Sequence, residues 1–288
     1  MGITRDLTKK RFWARFITHI LAAIGLCGVG AGITSALFPQ ALPPISAPVV
    51  VAIAVVSFLY ALHRSWPRPV QQSYKAPNTE IHIIEGDLFE QEGNAVIGMT
   101  TTFDTEIPHV IHEKSVQAQL LTKVYRNDRK ALDSALDTAL ASCTPVSTFK
   151  PDDKKPGKQI AYPIGTVAPV EHSVRRFYFC VAYSEMNERN EAHGSVDGIW
   201  RSLNSLWKEV RARGNGDPVS IGVIGGGQAR ISQYFPAQDS IRFIALSYMF
   251  ASRQEKVASR LNIVVRPQDV RDLDMLELQA FLKSLRPS

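Results

Sequence analysis

Apolar residues follow one pattern in the first quarter of this chain and another in the rest. From Phe16 to Phe38 and from Ala47 to His63 they are nearly continuous; from Glu80 onward they come in short runs separated by stretches of helical spacing. The first run has 23 residues, enough to cross a hydrocarbon core about 30 Å thick at about 1.5 Å per residue. The second has 17, the short end of the spanning range. Residues 39–46 between them are proline-broken and uncharged, and positions 16–63 hold no Asp, Glu, Lys or Arg in a chain that is 21% charged. A cleaved signal peptide would have no second run, and a hairpin in a soluble core would carry a polar stripe. The pattern predicts a transmembrane hairpin over 16–63, with spans at 16–38 and 47–63.

Beyond a polar, proline-rich linker at 64–79, the period switches between strand and helix. Strands are expected at Ile81–Ile84, Ala95–Met99, Arg176–Tyr183, Val219–Ile224 and Leu261–Val265, and a strand pair at 159–164 and 166–170 around Gly165. Helices are expected at Ser115–Tyr125, Asp128–Ala141 (Leu132, Leu136 and Leu140 on one face), Ser195–Arg213 (Ile199, Leu203, Leu206 and Val210), Ala237–Ser252 and Asp269–Leu285. Alternating strands and helices over 80–288 predict one three-layer α/β/α domain.

Charge changes how the basic pI of about 9.2 reads. Residues 1–75 hold 8 Lys/Arg against 1 acidic residue, a net of +7, and residues 76–288 hold 25 against 26, a net of −1. The excess sits around the apolar runs, where it attracts anionic lipid rather than nucleic acid. Arg5, Lys9, Lys10, Arg11 and Arg15 precede the first run, and Arg64, Arg68 and Lys75 follow the second. The positive-inside rule therefore predicts an inner-membrane protein of two spans, with the basic segment 1–15 and both termini in the cytoplasm; Trp13 and Trp66 stand where interfacial aromatics belong. Gly28 and Gly32 form a GxxxG in the first run, a spacing that serves packing within the hairpin or contact between protomers. Cys27, Cys143 and Cys180 show no metal or disulfide spacing.

Three segments carry candidate chemistry. Ser220 to Arg230 is an apolar strand ending in Gly225-Gly226-Gly227, followed by Gln228, Ala229 and Arg230. Such glycines suit either a loop that turns backbone N–H groups towards an anion or a tight turn with no ligand. The spacing is neither a Walker A loop nor GxGxxG. Gly86-Asp87 ends the first strand of the domain, and its carboxylate can cap a helix, the favoured local role, or accept from an exocyclic amine. Thr100 to Thr105, with Ser115 and Gln117, forms a hydroxyl-rich loop after the second strand, which suits either a ligand-lining loop or a merely solvated one. No HExxH, no GxSxG and no carboxylate pair stands out, so no catalytic residue, metal or cofactor is assigned, and the domain reads as a binder.

Taken in order, Ile81-His-Ile-Ile-Glu-Gly-Asp87, Phe103-Asp-Thr with Ser115-Val-Gln117, Tyr162-Pro-Ile-Gly-Thr-Val167 and the Gly225–Gly227 loop resemble the macrodomain superfamily. With two spans ahead of them they resemble the transmembrane-macrodomain (type II) members of the ThsA family of Thoeris anti-phage effectors. The resemblance implies a mixed sheet between helices that binds an ADP-ribose-like signalling nucleotide, of the histidine–ADP-ribose class, made by a TIR-domain protein. It implies an effector that forms a homo-oligomer and disrupts the bilayer in abortive infection. By position, Asp87 would meet the adenine amine; Thr102, Phe103, Asp104, Ser115 and Gln117 would line the first loop; Gly225, Gly226, Gly227, Gln228 and Arg230 would hold the diphosphate. The Asn-Ala-Ala-Asn stretch of ADP-ribosyl hydrolases is Gly98-Met-Thr-Thr here, which argues for binding without hydrolysis. A membrane-tethered ADP-ribosyl hydrolase and an anchored ADP-ribose-binding scaffold are the alternatives.

Overall fold

The computed structural model describes residues 10–37, 47–65, 70–150, 152, 156–173, 176–225 and 235–286. The chain divides into two compact units, Met1–Arg68 and Pro69–Ser288.

In the first unit α1 (Lys10–Leu37) and α2 (Ala47–Ser65) pack on each other. Phe16 meets Phe58 edge-on at 5.4 Å, and Phe12, Phe16, Ser57 and Ala61 are buried. Among the described residues one helix is long and apolar enough to cross a membrane, Phe12–Leu37 with a mean hydropathy of 2.0; the apolar part of α2, Val50–Ser65, is shorter. Exposed Leu21, Leu26, Val29 and Leu37 leave α1 with an apolar surface. Among the described residues a Cβ added at Gly25, Gly28, Gly30 or Gly32 would meet nothing within 4 Å, while Phe16 and Phe58 meet at the seam with α2. Arg5, Lys9, Trp66 and Arg68 lie outside the described residues.

The second unit is built on a mixed sheet in the order β1-β2-β10-β9-β3-β7-β6, with β8 pairing on β7. Its strands are β1 (Val70–Tyr74), β2 (Thr79–Glu85), β3 (Asn94–Thr100), β6 (Val167–Ser173), β7 (Arg176–Met186), β8 (Ala192–Gly194), β9 (Val219–Gly222) and β10 (Arg260–Val265). Strands β2, β10, β9, β3 and β7 run parallel; β1, β6 and β8 pair antiparallel at the margins. Two helices close one face, α3 (Val116–Gln119) and α4 (Arg129–Leu140), around Met99, Phe103, Leu120, Leu132 and Leu136. On the other lie α5 (Val196–Arg213), α6 (Ala237–Gln254) and α7 (Met275–Ser284), around Phe179, Trp207, Tyr248 and Ile263. The expected three layers are present.

Helix starts follow their caps. Asp128 Oδ1 accepts from Ala131 N at 3.0 Å, Ser195 Oγ from Gly198 N at 3.0 Å, and Asp274 Oδ1 from Glu277 N at 2.9 Å. That last cap divides the final expected helix: Val270–Asp272 is a 3₁₀ turn, and α7 begins after Asp274. Three further expectations are corrected. The stretch 64–79 is not all linker, since β1 lies inside it and pairs with β2 from Val70↔Ile83 to Tyr74↔Thr79; its BeBeB burial is an amphipathic strand pattern hidden among polar residues. The expected pair around Gly165 does not form. Instead β5 (Ile160–Ala161) pairs with β4 (Ser147–Thr148), and β6 pairs with β7. The expected helix Ser115–Tyr125 is α only to Gln119 and then a π-turn over Leu120–Val124, where Tyr125 N reaches back to Leu120 O at 3.3 Å.

Candidate functional site

The carboxyl ends of β2, β10, β9 and β3 lie along one edge of the sheet, and the three loops singled out by sequence leave from that edge. In open α/β sheets ligands settle outside this edge.

The first loop begins where Gly86 N donates to Val265 O at 3.0 Å, which seats Gly86-Asp87 beside the end of β10. Asp87 caps the 3₁₀ turn Leu88–Glu90, its Oδ1 accepting from Phe89 N at 2.9 Å, so the favoured local role holds. Its Oδ2 accepts from Lys123 Nζ on the π-turn, and that ammonium also stands 5.4 Å from the centre of the Phe89 ring. Burial by itself would push the Asp87 carboxyl up; the Lys123 ammonium and the Phe89 N–H outweigh it and hold the group below the usual carboxylate range. The side chain keeps 30% of its surface exposed.

The second loop leaves β3 and folds inward. Thr102, Phe103 and Asp104 are almost wholly buried, and Gln117 is buried beside them. Thr102 Oγ1 donates to Asp104 Oδ2, Lys158 N to Asp104 Oδ1, and Gln117 Nε2 to the Asp104 carbonyl. Phe103 takes a positive φ of 49° and meets the Tyr162 ring edge-on at 5.8 Å. Ser115 Oγ accepts from Ala118 N at 3.0 Å and caps α3. The structure thus brings Thr102, Phe103, Asp104 and Gln117 together as the internal frame of the loop, with Ser115 starting the helix that follows. An ion-pair chain overlies this frame: Glu106–Arg129 at 3.3 Å, Arg129–Asp133 at 3.5 Å and Lys158–Asp133 at 2.9 Å, with Thr105 Oγ1 donating to Asp133 at 2.7 Å.

At the third loop the strand ends at Gly222, Ile224 N donates to the buried Ser240 Oγ of α6 at 3.1 Å, and Gly225 has a φ of 90°. A left-handed backbone there favours glycine. Gly226, Gly227, Gln228 and Arg230 lie outside the described residues.

Sequence reasoning passed over Lys123, Lys158 and Asp133. The partners of Lys123 (Asp87) and Lys158 (Asp133) lie 36 and 25 residues away, so no local spacing points to these two lysines; the Arg129–Asp133 pair is four residues apart and was the one local signal. A shallow cleft of about 440 Å³ opens elsewhere, between the start of β6 and α5, lined by Cys143, Thr166, Ser205 and Lys208 among others; none of the candidate residues lines it. Among the described residues no group of three or more His, Cys, Asp or Glu is placed to hold a metal.

Comparison with known proteins shows the family and the fold. The family model described as "Thoeris protein ThsA, Macro domain" matches residues 81–266. An Oceanobacillus iheyensis macrodomain solved with ADP superposes with a TM-score of 0.50 at 12% identity, covering 76% of this chain and 98% of that one. A point mutant of the same macrodomain gives a TM-score of 0.50 at 12% identity, with 76% and 95% covered. No curated protein matches the chain.

Proposed function

Because the chain belongs to the ThsA macrodomain family of Thoeris proteins, we propose that it is a membrane-anchored effector whose macrodomain binds an ADP-ribose-derived signal of the histidine–ADP-ribose class. The observation that carries this reading is the convergence of Asp87, the loop after β3 and Gly225 on one edge of the sheet. A structural neighbour solved with ADP supports the same ligand class. In this reading the Asp87 carboxylate accepts the adenine amine, and the Gly225–Gly227 loop, with Gln228 and Arg230, offers backbone N–H groups and charge to the diphosphate. Thr102, Phe103, Asp104, Ser115 and Gln117 hold the intervening loop in shape for the ribose.

We read the domain as a binder rather than a hydrolase. Asp104, the carboxylate of the loop after β3, is buried with both oxygens accepting hydrogen bonds from Thr102 and Lys158, and Gly98-Met-Thr-Thr stands where hydrolases carry their asparagines. The signal comes from a TIR-domain partner. Binding drives homo-oligomerisation, and the two-span hairpin, with both termini cytoplasmic, disrupts the inner membrane.

Isothermal titration of the full chain in detergent with ADP-ribose and with its histidine conjugate tests the ligand, and light scattering of the same samples tests assembly. The reading expects saturable binding of at least one nucleotide and growth in particle mass on adding it. A folded protein that binds neither overturns it, and slow release of free ADP-ribose from an ADP-ribosylated protein would favour the hydrolase.

A further inference from the structure

The connection from β2 to β3 is acidic. Glu85, Asp87, Glu90 and Glu92 fall within eight residues that contain no base, and Glu85, Glu90 and Glu92 are exposed. A nucleotide diphosphate carries two negative charges of its own. Seated at this edge it would meet a carboxylate field that repels it, unless a cation intervenes.

Among the described residues two cations contact the turn. Arg176 holds the backbone of the turn: its guanidinium donates to the carbonyls of Phe89 at 3.4 Å and Gln91 at 3.0 Å and lies 5.4 Å from the Tyr178 ring centre. Lys123 is the one paired with a carboxylate. The π-turn over Leu120–Val124 presents it to Asp87 Oδ2 while the Phe89 ring lies beside its ammonium. Single π-turns inside helices recur at functional sites. An ionised carboxylate has about four acceptor positions, and the structure shows two donors on Asp87, Phe89 N and Lys123 Nζ. Capacity for a further donor therefore persists on a carboxylate whose charge is already balanced.

We infer that Lys123 is the counter-ion that lets Asp87 receive the amine of an adenine nucleotide without repelling the diphosphate attached to it. Lys123 is a positioning residue that acts through Asp87, not a group that grips phosphate. This rests on the nucleotide-binding reading above, and deepens it by naming what reconciles an acidic turn with an anionic ligand.

The test is a double-mutant cycle read with two ligands, ADP-ribose and uncharged adenosine, titrated into the full chain in detergent. Lys123→Met should weaken ADP-ribose binding roughly tenfold, the scale of uncovering one like charge near a dianion, and change adenosine binding less than about twofold. Lys123→Arg should keep wild-type affinity for both. In an Asp87→Asn background, where no carboxylate charge is left to balance, adding Lys123→Met should cost ADP-ribose less than about twofold. Three results overturn the inference: equal losses for ADP-ribose and adenosine, which is a structural role; a tenfold loss that persists with Asp87→Asn, which is direct phosphate contact; or no change in Lys123→Met. Melting curves for each variant, and the Arg and Asn variants as conservative arms, keep the outcome readable if Lys123→Met fails to fold. A wild-type chain that binds neither ADP-ribose nor its histidine conjugate overturns the proposed function itself, and this inference with it; where only the conjugate binds, the same cycle is read with the conjugate in place of ADP-ribose.

Discussion

Gly98 shows how tightly the sheet is packed beneath the site. An added Cβ would come within 2.4 Å of the Tyr183 ring, and Tyr183 packs against the core cluster that holds Phe179, Trp207 and Tyr248. Gly98→Ala should cost about 1–3 kcal/mol as the ring is forced off its rotamer, seen as a drop in the denaturant midpoint. At the surface, Asp87 makes a prediction whose sign follows from its charge. Its carboxyl titrates below the ordinary range in the folded chain because, despite burial, Lys123 and Phe89 N favour the ionised form. A depressed carboxyl contributes stability above its unfolded value of 3.8, and loses that contribution as the pH falls through the folded value. Asp87→Asn should therefore melt below wild type near neutral pH, and the gap should close in acid below that window. A gap that stays constant with pH would mean that Asp87 acts only as a neutral cap. The cap itself was readable from Gly-Asp at a strand end; the ion pair was not, because Lys123 is close only after the chain has folded.

Whole elements were legible where periodicity was strong. The leucines of α4 and the Ile199–Leu203–Leu206–Val210 stripe of α5 are buried as their spacing predicts, since an apolar face repeating every three or four residues has little alternative to helix. Elements failed to show where tertiary pairing overrode a local signal. β1 reads as linker because Gln71, Gln72 and Ser73 are polar and prolines flank it, yet its Val70 and Tyr74 face the core, and the Tyr74 hydroxyl donates to Leu282 O at 2.7 Å. The strand pair expected around Gly165 fails for the same reason: β6 has a longer partner in β7. A chain starting at residue 76 would delete β1 and leave the β2 edge bare. It should be less stable by a few kcal/mol and more prone to aggregate than one starting at 69, as urea melts and size-exclusion profiles of the two would report. Equal behaviour would reduce β1 to an ornament of the sheet.

For the whole molecule, the proposed function divides between the two units: the second would bind the nucleotide, and the first supplies an apolar helix whose glycines meet nothing within 4 Å among the described residues. Small residues that meet nothing among the described residues of their own hairpin are suited to close helix contact in lipid, and the proposed output uses them between protomers. Of the site as a whole, the order of loops was legible and brought the family with it, while the inward frame of Thr102, Phe103 and Asp104 was not, since a hydroxyl-rich loop reads as solvated until burial is known. The glycine face, in turn, gives the proposed output a direct control. Gly28→Leu with Gly32→Leu should leave nucleotide affinity unchanged and block assembly. The most direct measurement is dye release from anionic liposomes reconstituted with the full chain, with and without the histidine conjugate of ADP-ribose. The account predicts leakage only when the nucleotide is present, abolished by the double leucine variant; intact vesicles despite saturating, calorimetrically verified binding would contradict it.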